Sequence, residues 1–277
     1  MSQFFTSEKI FNNVTRIGGL GGELCYLIEG SEKALLIDGL TGVGSLKAYV
    51  RELTDLPVEI ALTHGHVDHG GAVFEYGACW IDPADIALLY EHGDPAIRYD
   101  FVAHGPEGGF KPKPEDVVPP CPVKTYPLAD GFVFDLGGVQ IEAISVPGHT
   151  KGTMVFLDRA RRVVYSGDAC NANTLLCMPP HCTSIETYRK SLEHFAAFAD
   201  AFDVMYGGHG PFAVPKDIIA DATELCDRIL AGTDDKFPGG FMGRPCLYAA
   251  KFGGMFQRED GGLANIAYIP ENIRDLP

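Results

Sequence analysis

With 277 residues, 46% of them hydrophobic and 10% aromatic, the chain has material for one large or two small globular domains with a sizeable core. Its 22 basic and 37 acidic residues leave a formal net charge of −15, which opposes a phosphate-rich partner, because nucleic-acid binding relies on Lys and Arg displacing counterions. Nucleic acid and membrane are therefore not expected as partners, and no run reaches the ~18 apolar residues of a membrane span.

The first nine residues carry no basic flank leading into an apolar stretch of the signal-peptide kind, so a cytoplasmic location is expected. The eight cysteines are spread without a Cys-x-x-Cys pair and read as reduced core thiols. Cys170, Cys177 and Cys182 fall close together, which keeps a disulfide or a reactive thiol open there.

In chain order, Asn13 to Ile17, Leu24 to Ile28 and Ala34 to Asp38 are short β-branched or aromatic runs between Gly-rich turns, the pattern of an antiparallel meander. Leu46, Val50 and Leu53 then recur at helical spacing over 44–53, and Val58 to Leu62 reads as the next strand. That strand runs straight into Thr63-His64-Gly65-His66-Val67-Asp68-His69-Gly70-Gly71, four side chains with metal-binding atoms within six residues. Three imidazoles and a carboxylate are borderline ligands suited to zinc, iron or manganese. Gly65 and Gly70 are expected to let the backbone bend so that Asp68 and His69 aim elsewhere than His64 and His66. The spacing differs from the His-Glu-x-x-His helix of metalloproteases, in which two histidines one turn apart share a metal. A packing role does not explain why so many groups that are costly to desolvate should gather at one strand end.

Beyond the motif, Ala72 to Tyr76 and Pro83 to Glu91 read as helices and Cys79 to Ile81 as a strand. Regularity then fails: 92–126 is dense in Pro and Gly, including Gly105-Pro106-Glu107-Gly108-Gly109, and reads as a lid or a solvated loop. In the lid reading Tyr99, Phe101, His104 and Phe110 face the substrate. Phe132 to Asp135 and Val139 to Val146 flank Leu136-Gly137-Gly138 as a hairpin that delivers Pro147-Gly148-His149-Thr150. A second hairpin, Met154 to Asp158 with Val163 to Ser166, ends in Gly167-Asp168. Cys25 to Gly39 and Met154 to Asp168 align without gaps, a weak internal repeat. Asn171 to Thr183 is read as loop, Ser184 to Phe198 as a helix capped by Ser184, and Val204 to Tyr206 as a strand leading to Gly207-Gly208-His209-Gly210-Pro211. A helix over 215–230 follows, then a tail with turns at Pro238-Gly239-Gly240 and Gly253-Gly254 and one strand, Ala264 to Pro270, serving as a closing edge, a partial lid or a dimer contact.

His64-Gly65-His66-Val67-Asp68-His69 resembles the His-x-His-x-Asp-His signature of the metallo-β-lactamase-fold hydrolase superfamily, and the ordered motifs extend the resemblance from about Ile37 to Pro211. The resemblance implies an α/β (α+β) fold, a four-layer αββα sandwich of two mixed β-sheets flanked by helices. It implies a domain over 1–230, with 92–126 as an insertion, and a C-terminal extension over 231–277 packed on it and available for a homodimer contact. Carried over by residue, it implies His64, His66 and His149 around one divalent ion, Asp68, His69 and His209 around a second, and Asp168 between them. Zinc is the first expectation, iron or manganese the alternatives. A hydroxide bridging the two ions would attack, Asp68 would orient it, and Asp38 would either orient a ligand histidine or simply form an Asp-Gly turn. For contact with the substrate and protonation of its leaving group the candidates are His181 and Tyr206.

The function expected is therefore hydrolysis of a small ester-like molecule, a thioester or a lactone. A mononuclear iron oxygenase resembling persulfide dioxygenases is one alternative, and a metal-binding sensor without turnover the other.

Overall fold

The computed structural model describes residues 2–103, 110–210, 213–254 and 257–275. The chain divides into two compact units, Met1–Ala143 with Gly208–Pro211, and Ile144–Gly207 with Phe212–Pro277.

The first unit opens with β1 (Thr6–Phe11), β2 (Val14–Gly18), β3 (Leu24–Glu29) and β4 (Ala34–Ile37), an antiparallel meander joined by short turns. From β4 onward the pairing is parallel, and parallel neighbours need crossovers. The first is α1 (Leu46–Leu53), whose N-cap Ser45 accepts from Ala48 N at 3.0 Å and whose Leu46 and Val50 are buried. It leads to β5 (Val58–Ala61), beyond which α2 (Val67–Gly70) and α3 (Val73–Tyr76) return the chain to β6 (Ala78–Ile81). Then come α4 (Ile86–His92), α5 (Pro95–Ala103), β7 (Lys124–Pro127), β8 (Val133–Asp135) and β9 (Gln140–Ser145). Strands β1 to β7 form one sheet in sequence order. All four residues of β4 are buried, the mark of a strand covered on both faces. Phe5, Ile17, Leu27, Leu36, Leu46 and Ile60 are among the side chains of this unit's core.

Two elements here were not expected. Strand β1 has a solvent-facing, polar sequence with no alternation to betray it. Helix α5 lies inside the stretch read as irregular, with Asp94 accepting from Ala96 N at 2.7 Å and Pro95 at its start. An N-cap Asp followed by Pro was the missed signal. Arg98 on α5 is fully buried, donating to the carbonyls of Gly93, Gly42 and Val118 and lying over the Phe74 ring. Tyr99 and Phe101, expected to face substrate, are partly buried against Val43, Val102 and Val117. Phe110 is exposed and meets Phe4 edge-on. His104 and the run Gly105 to Gly109 lie outside the described residues.

In the second unit, β10 (Met154–Asp158) and β11 (Val163–Gly167) form a fully buried hairpin. They are followed by β12 (Thr174–Leu176), α6 (Ile185–Ala196), β13 (Val204–Gly207), β14 (Val214–Pro215) and α7 (Ile218–Ala231). Ser184 caps α6 as expected, accepting from Thr187 N at 3.0 Å. Strand β13 pairs parallel to β11, and Tyr188, Leu192 and Phe195 of α6 share one core with Ile218, Leu225 and Ile229 of α7. The tail adds β15 (Phe237–Phe241), β16 (Arg244–Tyr248) and β17 (Ile266–Tyr268), which with β12 make a sheet in the order β12-β17-β16-β15.

The expected tail strand is thus interior rather than a closing edge, and the stretch read as loop supplies its parallel partner β12. Pro238, Gly239 and Gly240, read as a turn, stand in edge strand β15, where a side chain on Gly239 would collide with the Tyr248 ring. Among the described residues no helix is long and apolar enough to cross a membrane.

Candidate metal centre

Strand β5 ends where Leu62 N donates to Trp80 O at 2.9 Å, and the motif begins with Thr63 fully buried. His66 is still extended, at φ −68° and ψ 162°, and serves as N-cap of α2, its carbonyl accepting from His69 N and Gly70 N. Asp68 and His69 therefore leave consecutive positions of one helical turn, about 100° apart. This turn separates their directions from those of His64 and His66, which corrects the role expected of the glycines. Neither Gly65 nor Gly70 has a positive φ. Gly65 is instead required by space, because a Cβ there would stand 2.8 Å from Asp85 O and 3.0 Å from Leu89 N.

A network of hydrogen bonds behind the motif sets the imidazole tautomers. Asp38, 2% exposed and with φ 66°, accepts from Thr63 N at 2.7 Å, from the Thr63 hydroxyl at 2.8 Å, and lies 2.8 Å from His69 Nδ1. A carboxylate offers acceptors only, so His69 Nδ1 carries the proton and Nε2 is the atom offered to a metal. The Thr63 hydroxyl, its one hydrogen given to Asp38, must accept from His64 Nδ1 at 3.0 Å, which leaves Nε2 as the donor atom of His64 too. Of the two readings of Asp38, the structure supports orientation of a histidine. Thr63 was not singled out in the sequence, although a threonine at the strand end directly before the first histidine is a readable position for such a relay.

Two further residues hold the loop from outside. Asp85, 1% exposed, accepts from Gly65 N at 2.9 Å. His92 Nδ1 accepts from Val67 N at 3.1 Å while its ring stacks on His66 with centroids 5.3 Å apart. The rings of His64 and His66 stand 4.8 Å apart, and those of His64 and His69 4.0 Å apart.

His209 joins the same unit through backbone pairing. Leu24 N donates to Gly208 O at 2.8 Å and Glu23 forms an isolated antiparallel bridge with His209. His209 Nε2 lies 3.0 Å from Asp68 Oδ2, and His69 Nε2 lies 3.7 Å from the same oxygen. Asp68, His69 and His209 could hold a metal ion, with one donor atom each and all three within 4.8 Å of one another. Two imidazole nitrogens and a carboxylate oxygen fit a divalent ion of the zinc, iron or manganese kind. Glu23, also missed, is fully buried and accepts from the Thr41 hydroxyl at 3.1 Å. Burial pushes its carboxyl above the usual range, and the like charge of Asp68 adds to the rise.

In the second unit His149, 3% exposed, faces Leu175 O with Nδ1 at 3.1 Å, so a carbonyl on β12 fixes its tautomer. Its Nε2 lies 3.7 Å from Asp168 Oδ2. Gly148 must be glycine here, since a Cβ would enter the Tyr188 ring. His181 belongs to the loop after β12, where its carbonyl accepts from Lys151 N at 3.0 Å. Tyr206 is in β13, its half-buried ring stacked on that of Tyr165. Cys170, Cys177 and Cys182 are free and buried, and burial raises all three thiols, those of Cys170 and Cys177 to about 12, so neither a disulfide nor an activated thiol is present there.

The family model for the Metallo-beta-lactamase superfamily matches residues 18–209, which contain all of these donors. The chain belongs to this superfamily. It is 26% identical over 211 residues to the acyl-coenzyme A thioesterase MBLAC2 of Gallus gallus, covering 71% of this chain and 73% of that protein. It is 27% identical over 214 residues to the Homo sapiens protein of the same name, with the same coverage. Among solved structures it is similar to a metallo-beta-lactamase from Pontibacter korlensis, with a TM-score of 0.56 and 17% identity over 80% of this chain and 99% of that one. That likeness bears on the fold alone, and the mixed α/β architecture it shows is consistent with the αββα sandwich expected from the sequence.

Proposed function

We propose that the protein is a metal-dependent hydrolase of thioesters working through a dinuclear centre. In this reading His64, His66 and His149 hold one divalent ion, Asp68, His69 and His209 hold the second, and Asp168 serves both. The observation that carries it is the close group of Asp68, His69 and His209 in a member of this superfamily. Similarity to acyl-coenzyme A thioesterases supports the substrate class. Zinc suits the imidazole and carboxylate donors first, with iron or manganese as alternatives.

Bound divalent ions supply an acidified water as nucleophile and an electrophile for the substrate carbonyl. Asp38 and Thr63 keep the Nε2 atoms of His69 and His64 available, and Asp68 would accept a hydrogen bond from the attacking hydroxide and keep it aimed. The thioester is preferred over the lactone on chemical grounds. Its leaving group is the anion of a thiol with pKa about 8.5, which departs with little protonation, whereas a lactone expels a far more basic alkoxide. A thioester therefore asks less of a proton donor than a lactone does, and His181 and Tyr206 serve chiefly as substrate contacts.

The test is metal per chain on protein purified without added metal, beside turnover of matched thioester, oxygen-ester and lactone panels. About two ions per chain, and thioester turnover lost in His66→Ala and Asp168→Ala, are expected. One tightly held iron with oxygen consumption on a persulfide would replace the reading by the oxygenase. Full metal without turnover on any panel would make the protein a sensor.

A further inference from the structure

The network of Asp38 and Thr63 orients the rings of His64 and His69. His66, between them in the motif, is served from another element, α4 and the residue that precedes it. Asp85, just before the helix, accepts from Gly65 N, and His92, at its end, accepts from Val67 N. Those two N–H groups belong to the peptide planes that follow His64 and His66, so the pair of bonds constrains ψ at both histidines. His66 is thereby kept extended, at ψ 162°, up to the point where α2 begins. Beyond it the motif is tied to the loop after β4 instead: His69 O accepts from Gly39 N at 2.6 Å, and Gly71 N donates to Leu40 O at 2.7 Å.

Helix α4 is a firm support for this grip. Its Leu88 and Leu89 are buried, and Leu89 wedges against both glycines of the motif: a Cβ on Gly65 would stand 3.0 Å from Leu89 N, and one on Gly70 would meet Leu89 Cδ1. The residue after His92 is held as well, because Gly93 O accepts from Arg98 Nε at 3.2 Å. His92 itself is half-buried and touches the motif in two ways. Its Nδ1 accepts from Val67 N at 3.1 Å, and its ring lies over that of His66 with centroids 5.3 Å and planes 22° apart. A backbone N–H can only donate, so Nδ1 carries no proton and the neutral ring holds its proton on Nε2. One contact fixes the backbone that carries His66, and the other fixes the plane of its imidazole.

We propose that His92 is a positioning residue for the metal ligand His66, acting through Val67 N and through the stacked ring. The proposal rests on the dinuclear reading and deepens it, because it assigns two separate grips to different donors of the motif. Asp38 serves His69 and, through Thr63, His64, whereas His92 serves His66. Weakening the grip of His92 therefore loosens the ion that His66 helps to hold and spares the ion at Asp68, His69 and His209.

The test uses the full chain with zinc as the probe, titrated in competition with a chromophoric chelator so that the ions are counted and ranked by affinity. His92→Phe keeps a ring against His66 but turns a C–H toward Val67 N. One zinc ion should then bind about ten-fold more weakly while the other stays within about two-fold of wild type. His92→Asn sets Oδ1 where Nδ1 stood and should recover most of that loss, and His92→Ala, with neither contact, should lose more than His92→Phe. A general folding defect would weaken both ions alike, and an amide in place of the ring would not repair it. Wild-type zinc binding in His92→Phe and His92→Ala, equal weakening of both ions, or no recovery in His92→Asn would overturn the role of His92 while leaving the dinuclear centre intact. A wild-type chain that holds fewer than about two zinc ions at saturation would overturn the dinuclear reading, and this role with it.

Discussion

Replacing Asp38 by Asn changes one atom and no volume, yet it should weaken metal binding from a position that donates nothing to the metal. The wild-type carboxylate receives Thr63 N, the Thr63 hydroxyl and His69 Nδ1 within 2.7–2.8 Å. The asparagine oxygen can keep the two Thr63 donors, which turns the amide N–H toward His69 Nδ1. Nδ1 must then accept, the imidazole proton moves to Nε2, and the atom offered to the metal becomes a donor. Loss of an orienting partner typically costs a factor of 10–100 in metal affinity, or about 1.4–2.7 kcal/mol. If His69 keeps its proton on Nδ1 instead, two donors face each other in a buried site and folding stability falls by about 1–3 kcal/mol. Thr63→Val is the companion variant, removing the relay to His64 while leaving Asp38 on His69. Its effect should be smaller, and the double variant should fall short of the sum because one hydroxyl serves both partners. Competition with a chromophoric chelator measures affinity and a thermal melt of the metal-free protein measures stability. Wild-type affinity together with wild-type melting in Asp38→Asn would refute the tautomer argument.

Other consequences are as direct. Gly65→Ala places a methyl against the backbone of Asp85 and Leu89 and should cost about 1–3 kcal/mol of stability, seen as a lowered Tm, with reduced metal content at the same time. Arg98→Met keeps the length of the side chain but takes away the donors to the carbonyls of Gly93 and Val118, while Gly42 O keeps its bond from Val118 N, for an expected loss of about 3 kcal/mol in denaturant unfolding; a change within about 0.5 kcal/mol would show the buried guanidinium to be dispensable. Seven of the eight cysteines are buried, and burial raises all seven thiols, Cys79, Cys170 and Cys177 to about 12. Native protein at pH 8 should therefore take iodoacetamide on Cys121 alone by intact mass, and on all eight after denaturation. Their folded values exceed the unfolded thiol value of about 8.5, so this stabilising contribution is complete below that pH and is lost as pH rises toward 12. A melting temperature flat from pH 8 to pH 11 would contradict it.

What the sequence made legible was whatever local pattern controls. The short apolar runs of β3 and β4, the Ser184 cap of α6 and the density of ligating side chains after β5 can all be read within a window of ten residues. What escaped depends on partners far along the chain. Strand β12 looks like loop because its ladder is completed by β17, and the carbonyl that fixes His149 comes from that unrecognised strand. Glu23 sits in a glycine-rich turn that reads as connection, and its importance appears only when His209 pairs with it. Gly65 was recognised as necessary but for its conformational freedom, whereas its reason is the backbone of Asp85 and Leu89 pressed against it. Proximity of that kind has no periodicity in sequence.

The internal repeat connects these points. In the first unit β3 and β4 pair as Tyr26↔Ile37 through Glu29↔Ala34, and in the second β10 and β11 pair as Phe156↔Tyr165 through Asp158↔Val163, which is the same register under the gapless alignment of the two segments. The correspondence continues past the ladder: Asp38 aligns with Gly167, and both have left-handed backbone, φ 66° and 48°. Each hairpin thus ends in the same kink, but the acidic residue stands on it in one unit and just after it in the other. Standing on the kink costs an aspartate about 1–2 kcal/mol of backbone strain. Asp38 accepts that cost where its carboxylate collects three hydrogen bonds and directs His69 and Thr63. Asp168, one residue later, is relieved of the strain by Gly167 and lies instead 3.7 Å from the Nε2 of His149, the atom that histidine offers to a metal. One backbone device therefore places a carboxylate against His69 and Thr63 in the first unit and beside His149 in the second. Exchanging the order, as Asp38→Gly with Gly39→Asp, should remove the orienting acceptor without restoring it one residue on, and metal affinity should fall as far as in Asp38→Ala; full retention of affinity would show that the position of the acid relative to the kink is immaterial.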